Sequence, residues 1–296
     1  MRMPAVSIGV CAYNEMRNIT RCLGSIVPQK LHGYELAEVI VVSSGSTDGT
    51  DAVVRDYAES EPLVRLVPQP RREGKNSAVN LFMSQAVGDI LVLVNADNVL
   101  AEGALQKLLE PFNDPQVGIV GGRPVPVNPR DTVPGFAVNM LWDMHHRLSL
   151  LHPKIGELIA FRNIRVQLPT DLQSDEDIIR MEVEKLGLRS AYSPEAIVQN
   201  KGPATVKDFI KQRTRVNIGE GYMHRKFSYD IPTQDLRLLF PALLDLLKDG
   251  ASSPHLMAAA VLMEAFCRAY ARLYVALDKG DKMMWSPVDS TKNLSN

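Results

Sequence analysis

Ile90-Leu91-Val92-Leu93-Val94-Asn95-Ala96-Asp97-Asn98 is an apolar run of five residues that stops abruptly in a polar cluster. Five residues are too few for a helix, and the absence of polar alternation predicts a strand buried on both faces. A carboxylate just past such a strand sits at the sheet edge. With an amide neighbour, Asp97 can hold a hard divalent cation that also binds diphosphate oxygens; a plain turn residue is the competing reading. Working outward, similar strands are expected at Val6–Ala12, Val39–Val42, Val64–Val67 and Val117–Gly121. Amphipathic helices are expected between them at Asn18–Ile26, Thr50–Ala58, Ser77–Ala86 and Glu102–Phe112. This alternation predicts an α/β fold with a mostly parallel sheet flanked by helices, whose ligands bind beyond the carboxyl ends of the strands.

The chemistry-bearing residues cluster at those ends. The first strand runs into Ala12-Tyr13-Asn14-Glu15, where Asn14 is either a helix cap or a group that meets a base or ribose. The second ends in Ser43-Ser44-Gly45-Ser46-Thr47-Asp48-Gly49-Thr50, which suits hydrogen bonding to a nucleoside and equally suits a capped turn. Arg71-Arg72-Glu73-Gly74-Lys75-Asn76-Ser77-Ala78-Val79-Asn80 sets three cations around a glycine at a helix start. That is a diphosphate contact in the making, without the spacing of a Walker loop.

Pro124, Pro126, Pro129 and Pro134 mark a change to extended chain. A helix (Phe136–Leu151), a strand (Leu158–Phe161), a helix (Glu176–Leu186) and a basic helix (Val206–Arg225) are expected after them. Ser174-Asp175-Glu176-Asp177 opens the second of these helices. The helix dipole alone favours acids there, but a carboxylate so placed can also deprotonate an acceptor hydroxyl, and its neighbours raise its pKa toward neutrality. On the basic helix, Gln212 and Arg215 share a face, whereas Arg213 and Arg215 project about 200° apart. The two arginines therefore cannot both face one ligand; Arg213 is a candidate for the surface or the acceptor, and a solvated basic face is the competing reading.

Taken in order over residues 5–225, these motifs resemble those of the family-2 glycosyltransferases of GT-A fold. That family shows a Tyr-Asn-Glu-type first turn, a Gly-Ser-Thr-Asp-Gly-Thr second turn, a Gly-Lys-x-x-Ala-x-Asn helix start, an Asp-x-Asp metal motif and a Gln-x-x-Arg-Trp signature. The resemblance implies an inverting transfer of a sugar from a nucleotide-diphosphate donor to an acceptor hydroxyl. A UDP-sugar is the favoured donor and a GDP-sugar the alternative; the acceptor is an alcohol, a lipid-linked sugar, or a polysaccharide or glycolipid precursor. It implies Mg²⁺ or Mn²⁺ on Asp97 and a donor site of Ala12, Asn14, Glu15, Ser44, Lys75, Asn95, Ala96, Asp97 and Arg215. Asp177 is the implied base, with Asp175 behind it, and Gly156, Glu157, Gln212 and Arg213 lie on the acceptor side.

The chain departs from the family at three places. Ser43-Ser44 replaces Asp-Asp, passing a base contact to a hydroxyl; Asn95 replaces the first metal-motif acid, removing a charge; Val216 replaces the signature Trp. Two rival readings are a sugar-nucleotide nucleotidyltransferase, which would carry a Gly-x-Gly-Thr-Arg-type loop after the first strand, and a nucleotide-sugar sensor without turnover.

The 296 residues are 45% hydrophobic and 23% charged with a net charge of −1, which gives no bulk attraction to nucleic acid. Cys11, Cys22 and Cys267 match no metal or disulfide spacing and read as reduced thiols in a cytoplasmic protein. Three parts are expected: 1–125 for the nucleotide sugar, 126–231 for acceptor and base, and 232–296 as amphipathic helices with a polar tail, Asp289–Asn296. In the last part Leu256, Ala260, Met263, Cys267, Tyr270, Tyr274 and Leu277 form an apolar stripe, while Glu264, Arg268 and Arg272 occupy another face. These charges argue against a bilayer span. Three roles remain open for the stripe: packing on the catalytic domain, peripheral contact with the cytoplasmic membrane face, or a homodimer contact.

Overall fold

In the computed structural model, the structure describes residues 2–172, 174–229, 231–248, 253–278 and Thr291. The tail expected at Asp289–Asn296 thus lies, apart from Thr291, outside the described residues. The strands are β1 (Ala5–Ala12), β2 (Glu35–Ser44), β3 (Val64–Gln69), β4 (Ile90–Asn95), β5 (Val99–Leu100), β6 (Val117–Pro126), β7 (Leu158–Arg162) and β8 (Arg189–Asn200). The helices are α1 (Ile19–Ile26), α2 (Thr50–Ser60), α3 (Lys75–Gln85), α4 (Ala104–Leu109), α5 (Val133–Leu151), α6 (Asp175–Lys185), α7 (Val206–Phe227), α8 (Leu236–Lys248) and α9 (Pro254–Ala276).

One sheet runs in the order β3-β2-β1-β4-β7-β6-β8-β5. Its first half is parallel (β2–β3, β1–β2, β1–β4), while β7 lies antiparallel to both neighbours. The parallel strands are apolar throughout because both faces are covered. Val39 and Val41 pack with Val6, Ile8 and Val10 against α1 and α4. Ile40 and Val42 face the opposite layer, with Phe82 of α3 and Ile178 and Ile179 of α6. Gly9 belongs on this second face: a Cβ there would lie 2.6 Å from the Phe82 ring.

The extended chain expected at Pro124 and Pro126 is the second half of β6, which runs beyond the expected Val117–Gly121 and pairs with β8. Strand β8 was not foreseen, because Arg189-Ser190-Ala191-Tyr192-Ser193-Pro194-Glu195 lacks an apolar run. Its register jumps between Gly121↔Tyr192 and Arg123↔Ile197. The displaced residues include Pro194, which has no N–H to give a ladder.

The C-terminal helices pack on the catalytic layer. Leu246, Met257 and Ala260 join Val138, Met140 and Phe209 of α5 and α7 in a third core. Of the foreseen stripe, Leu256, Ala260, Cys267 and Tyr274 are buried, whereas Tyr270 and Leu277 are exposed. Glu264, on the face it shares with Arg268, points inward: it accepts hydrogen bonds from Arg213 Nε and Nη2, each at 2.8 Å, and from Arg268 Nε at 2.8 Å. Arg213 is correspondingly buried rather than at the surface. Removing one partner of a buried ion pair strands the other charge, so Arg213→Ala should lower unfolding stability by about 3 kcal/mol. Urea unfolding monitored by circular dichroism would expose an unchanged midpoint as a refutation. Among the described residues, no helix is long and apolar enough to cross a membrane.

Candidate active site

Because β1, β2 and β4 are parallel neighbours, their carboxyl ends bring the three polar loops together at one sheet edge. The loops after β1 and β2 then lock onto each other. Asn14 takes a left-handed φ of 54°, its N–H donates to Ser46 Oγ (3.0 Å), and its Oδ1 accepts from Thr47 N (2.8 Å). Glu15 N donates to Thr50 Oγ1 at 2.8 Å, and Asp48 Oδ1 accepts from Thr50 N at 3.0 Å. Asn14 is neither a helix cap, since Asn18 precedes α1, nor part of the cavity lining. It ties the loops together, and the neighbouring Glu15 and Ser44 reach the cavity.

Beside these loops lies a cavity of about 850 Å³, lined at one end by Ala12, Glu15, Ser44, Lys75, Asn95, Ala96 and Asp97. Gly156, Glu157, Asp175, Asp177, Gln212, Arg213 and Arg215 border the same cavity. Every foreseen site residue except Asn14 is therefore assembled around it. Arg213 and Arg215, which lie two apart on α7, both line it. Arg213 is bound to Glu264, while the charge of Arg215 acts on Asp97.

Lys75 opens α3 after Gly74, whose φ is 90°. Its Nζ sits 3.0 Å from Asp175 and 3.3 Å from Glu176, so the two motifs meet across the cavity. Burial alone would lower its pKa, but these carboxylates outweigh burial and hold the ammonium charged. The asparagines of the same motif do structural work unseen in the sequence. Asn76 Nδ2 donates to the carbonyls of Pro169 (2.8 Å) and Leu172 (2.9 Å), and Asn80 Nδ2 donates to that of Leu168 (2.8 Å). They clip the segment that delivers α6, and with it the acidic cluster.

The Asp177 carboxyl is pushed up to about 6, first by burial and then by the balance of Lys154 against Glu220 and Glu176. Its Oδ1 is buried without a hydrogen-bond partner. Asp175 is likewise raised by burial but is engaged by Lys75. Asp97 is raised by burial and by the adjacent charge of Glu157. Glu157 has a left-handed φ of 58°, and its Oε2 accepts from Asn95 Nδ2 (2.8 Å) and Asn98 Nδ2 (3.1 Å). Asp97 and Glu157 thus set two carboxylates near each other in the cavity lining, the hard oxygen donors that could hold a divalent cation.

Sequence reasoning missed His145, Lys154 and Glu220. His145 Nε2 is buried and unpartnered, and burial holds the ring neutral, with its pKa lowered to about 3. Lys154 Nζ donates to Glu220 Oε1 at 3.0 Å. No motif flags these residues, since each is isolated in sequence and gains meaning only from the cavity.

The sheet, parallel in its N-terminal half, gathers acids and cations at its strand ends, and its GT-A architecture is shared with solved glycosyltransferase structures. The glycosyl transferase family 2 profile matches residues 7–166, and the chain belongs to that family. It is 29% identical over 240 residues to an N-acetylglucosaminyltransferase of Rhizobium meliloti, covering 72% of this chain and 55% of that protein. It is 26% identical over 241 residues to the probable glycosyltransferase YdaM of Bacillus subtilis, covering 76% and 57%. The chain thus spans about half the length of the curated relatives it matches. Among solved structures, it is similar to a Pyrobaculum calidifontis mannosyltransferase in complex with GDP-Man and Mn²⁺. That match has a TM-score of 0.69 and 25% identity, covering 94% of this chain and 88% of that one. GalNAc-T7 with UDP, GalNAc and Mn²⁺ shares the fold at a TM-score of 0.53 and 16% identity, covering 71% and 47%.

Proposed function

We propose that the protein transfers a sugar, with inversion, from a nucleotide-diphosphate donor to an acceptor hydroxyl. One observation carries this: Lys75, Asp97 and Arg215 border the same cavity as a buried carboxylate, Asp177, with a free oxygen. The acceptor oxygen attacks the anomeric carbon while the bond from that carbon to the diphosphate oxygen breaks, and the electron pair leaves with the diphosphate. Asp177 Oδ1 takes the acceptor proton; its pKa of about 6 leaves it ionised at neutral pH yet more basic than an ordinary carboxylate. Asp175 is the weaker candidate because Lys75 already occupies it. Lys75 and Arg215 meet the charge that develops on the leaving group. A divalent cation held by Asp97 would neutralise further charge on the same diphosphate.

The donor base is decided by a thermal-shift panel of UDP, GDP, dTDP and CDP with Mn²⁺ or Mg²⁺. A ligand at 100 times its dissociation constant adds about 2.7 kcal/mol of stability, so UDP or GDP should produce the largest shift. No shift with any of the four would defeat the donor reading. Binding without release of nucleotide from a radiolabelled sugar donor would leave a sensor.

The acceptor we propose is amphiphilic. The cavity lining also includes Leu141, Trp142, Phe209, Phe240, Leu243 and Val261. Phe240 of α8 and Val261 of α9 are also solvent-exposed, beside exposed Leu262 and Phe266. The apolar part of the lining thus reaches solvent at Phe240 and Val261, where a lipid-linked acceptor at a membrane surface would insert its chain. Each buried methylene is worth about 0.8 kcal/mol, so acceptor KM should fall roughly fourfold per carbon along a methyl-to-hexyl glycoside series. Leu243→Asp should flatten that dependence. A KM indifferent to chain length would exclude the apolar lining as the acceptor site, and light scattering then tests a homodimer through α8 and α9.

A further inference from the structure

We infer that Glu157, on the loop entering β7, supplies the second carboxylate of the cation site and replaces the acid missing at Asn95. The inference rests on the transfer reading above, but its own test does not depend on turnover.

Position 95 carries an amide where the family motif has an acid. An Asp-x-Asp pair puts both acids on one loop, and here the first position is an amide. That amide is not idle: Asn95 Nδ2 donates to Glu157 Oε2 at 2.8 Å, and Asn98 Nδ2 donates to the same oxygen at 3.1 Å. An asparagine carbonyl oxygen binds a divalent cation weakly, whereas its N–H can steer a carboxylate that binds it well. An aspartate at 95 would repel Glu157 instead. Asn95 therefore has a reason to be an amide that its own position in the motif does not supply.

Glu157 also sits at a φ of 58°. A non-glycine residue persists in that region only where its surroundings fix it, and such strain gathers at ligand sites. Here the surroundings are the two amides, which hold Oε2 and leave Oε1 without a hydrogen bond from any described residue. The carboxylate lines the cavity that Asp97 also lines. Antiparallel pairing of β7 to β4, with Val94 opposite Leu158, places residue 157 beside the end of β4. A carboxylate sixty residues from Asp97 in sequence is thereby returned to it in space.

The test is Mn²⁺ alone, titrated into the full chain and followed by the electron paramagnetic resonance of the free ion, with thermal melting as the control for folding. Glu157→Gln should weaken Mn²⁺ binding at least thirtyfold, and Asn95→Asp combined with Glu157→Gln should recover most of it by returning the acid to position 95. Should Glu157→Gln not fold, Asn98→Ala, which removes one of the two amides, should weaken binding several-fold. Mn²⁺ affinity within threefold of wild type in folded Glu157→Gln overturns the assignment and leaves the transfer reading standing. An acceptor KM that rises while Mn²⁺ binding is unchanged overturns it in favour of an acceptor contact. A wild-type chain that binds no Mn²⁺ overturns it together with cation dependence.

Discussion

Asp177→Asn is expected to lower transfer by about 10²- to 10⁴-fold, the usual contribution of a positioned base, while donor binding stays near normal. The replacement keeps shape and removes basicity. The same variant should be more stable than the parent at pH 8, for a reason set by the sign of the pKa shift. In the folded protein the Asp177 carboxyl titrates at about 6, above its ordinary 3.8. The folded state therefore binds the proton more tightly than the unfolded chain, and stability falls as pH rises through that window. A shift of this size corresponds to roughly 3 kcal/mol per ionised group. The stability gain of Asp177→Asn should thus be full above about pH 7 and shrink as pH falls toward 4. Wild-type transfer should show an acid limb near pH 6, set by the same group. Transfer within threefold of wild type would pass the role to Asp175, whose own Asn variant loses the Lys75 pair and should weaken donor binding as well.

Asp97→Ala should remove metal-assisted nucleotide binding, with a loss of at least a hundredfold in the affinity for UDP or GDP measured in Mn²⁺. Asp97 lies at the end of β4 beside the cavity that holds Lys75 and Arg215, and it is the acid the family motif retains. The loss should be much smaller in chelator, where nucleotide affinity depends on the protein cations alone. That comparison separates a damaged cation site from a damaged nucleotide site. Calorimetry giving equal Mn²⁺-assisted affinity for the variant and the parent would sink the assignment. Folding should survive the change, because burial and the charge of Glu157 already disfavour an ionised Asp97.

The sequence by itself determined the parallel half of the sheet. Runs such as Val39-Ile40-Val41-Val42 and Ile90-Leu91-Val92-Leu93-Val94 can be satisfied only with both faces covered, and their abrupt polar ends place Ser44 and Asp97 at the carboxyl edge. It also determined where the acidic helix and the basic helix begin, since capping and periodicity are local signals. Tertiary structure decided what those signals do not contain. Strand β8 exists because β6 and β5 offer it partners, and it tolerates Pro194 by leaving register there. The motif Asn14, a donor contact by resemblance, holds a loop because Ser46 and Thr47 happen to face it. Arg213 left the surface because Glu264, fifty-one residues away, reaches it from α9. Glu157 meets Asn95 and Asn98 because β7 runs antiparallel to β4 and brings residue 157 to the end of that strand. Local periodicity reports which face of an element is dry, but hydrogen bonds and ion pairs depend on distances between elements. Those distances are set only when the layers pack.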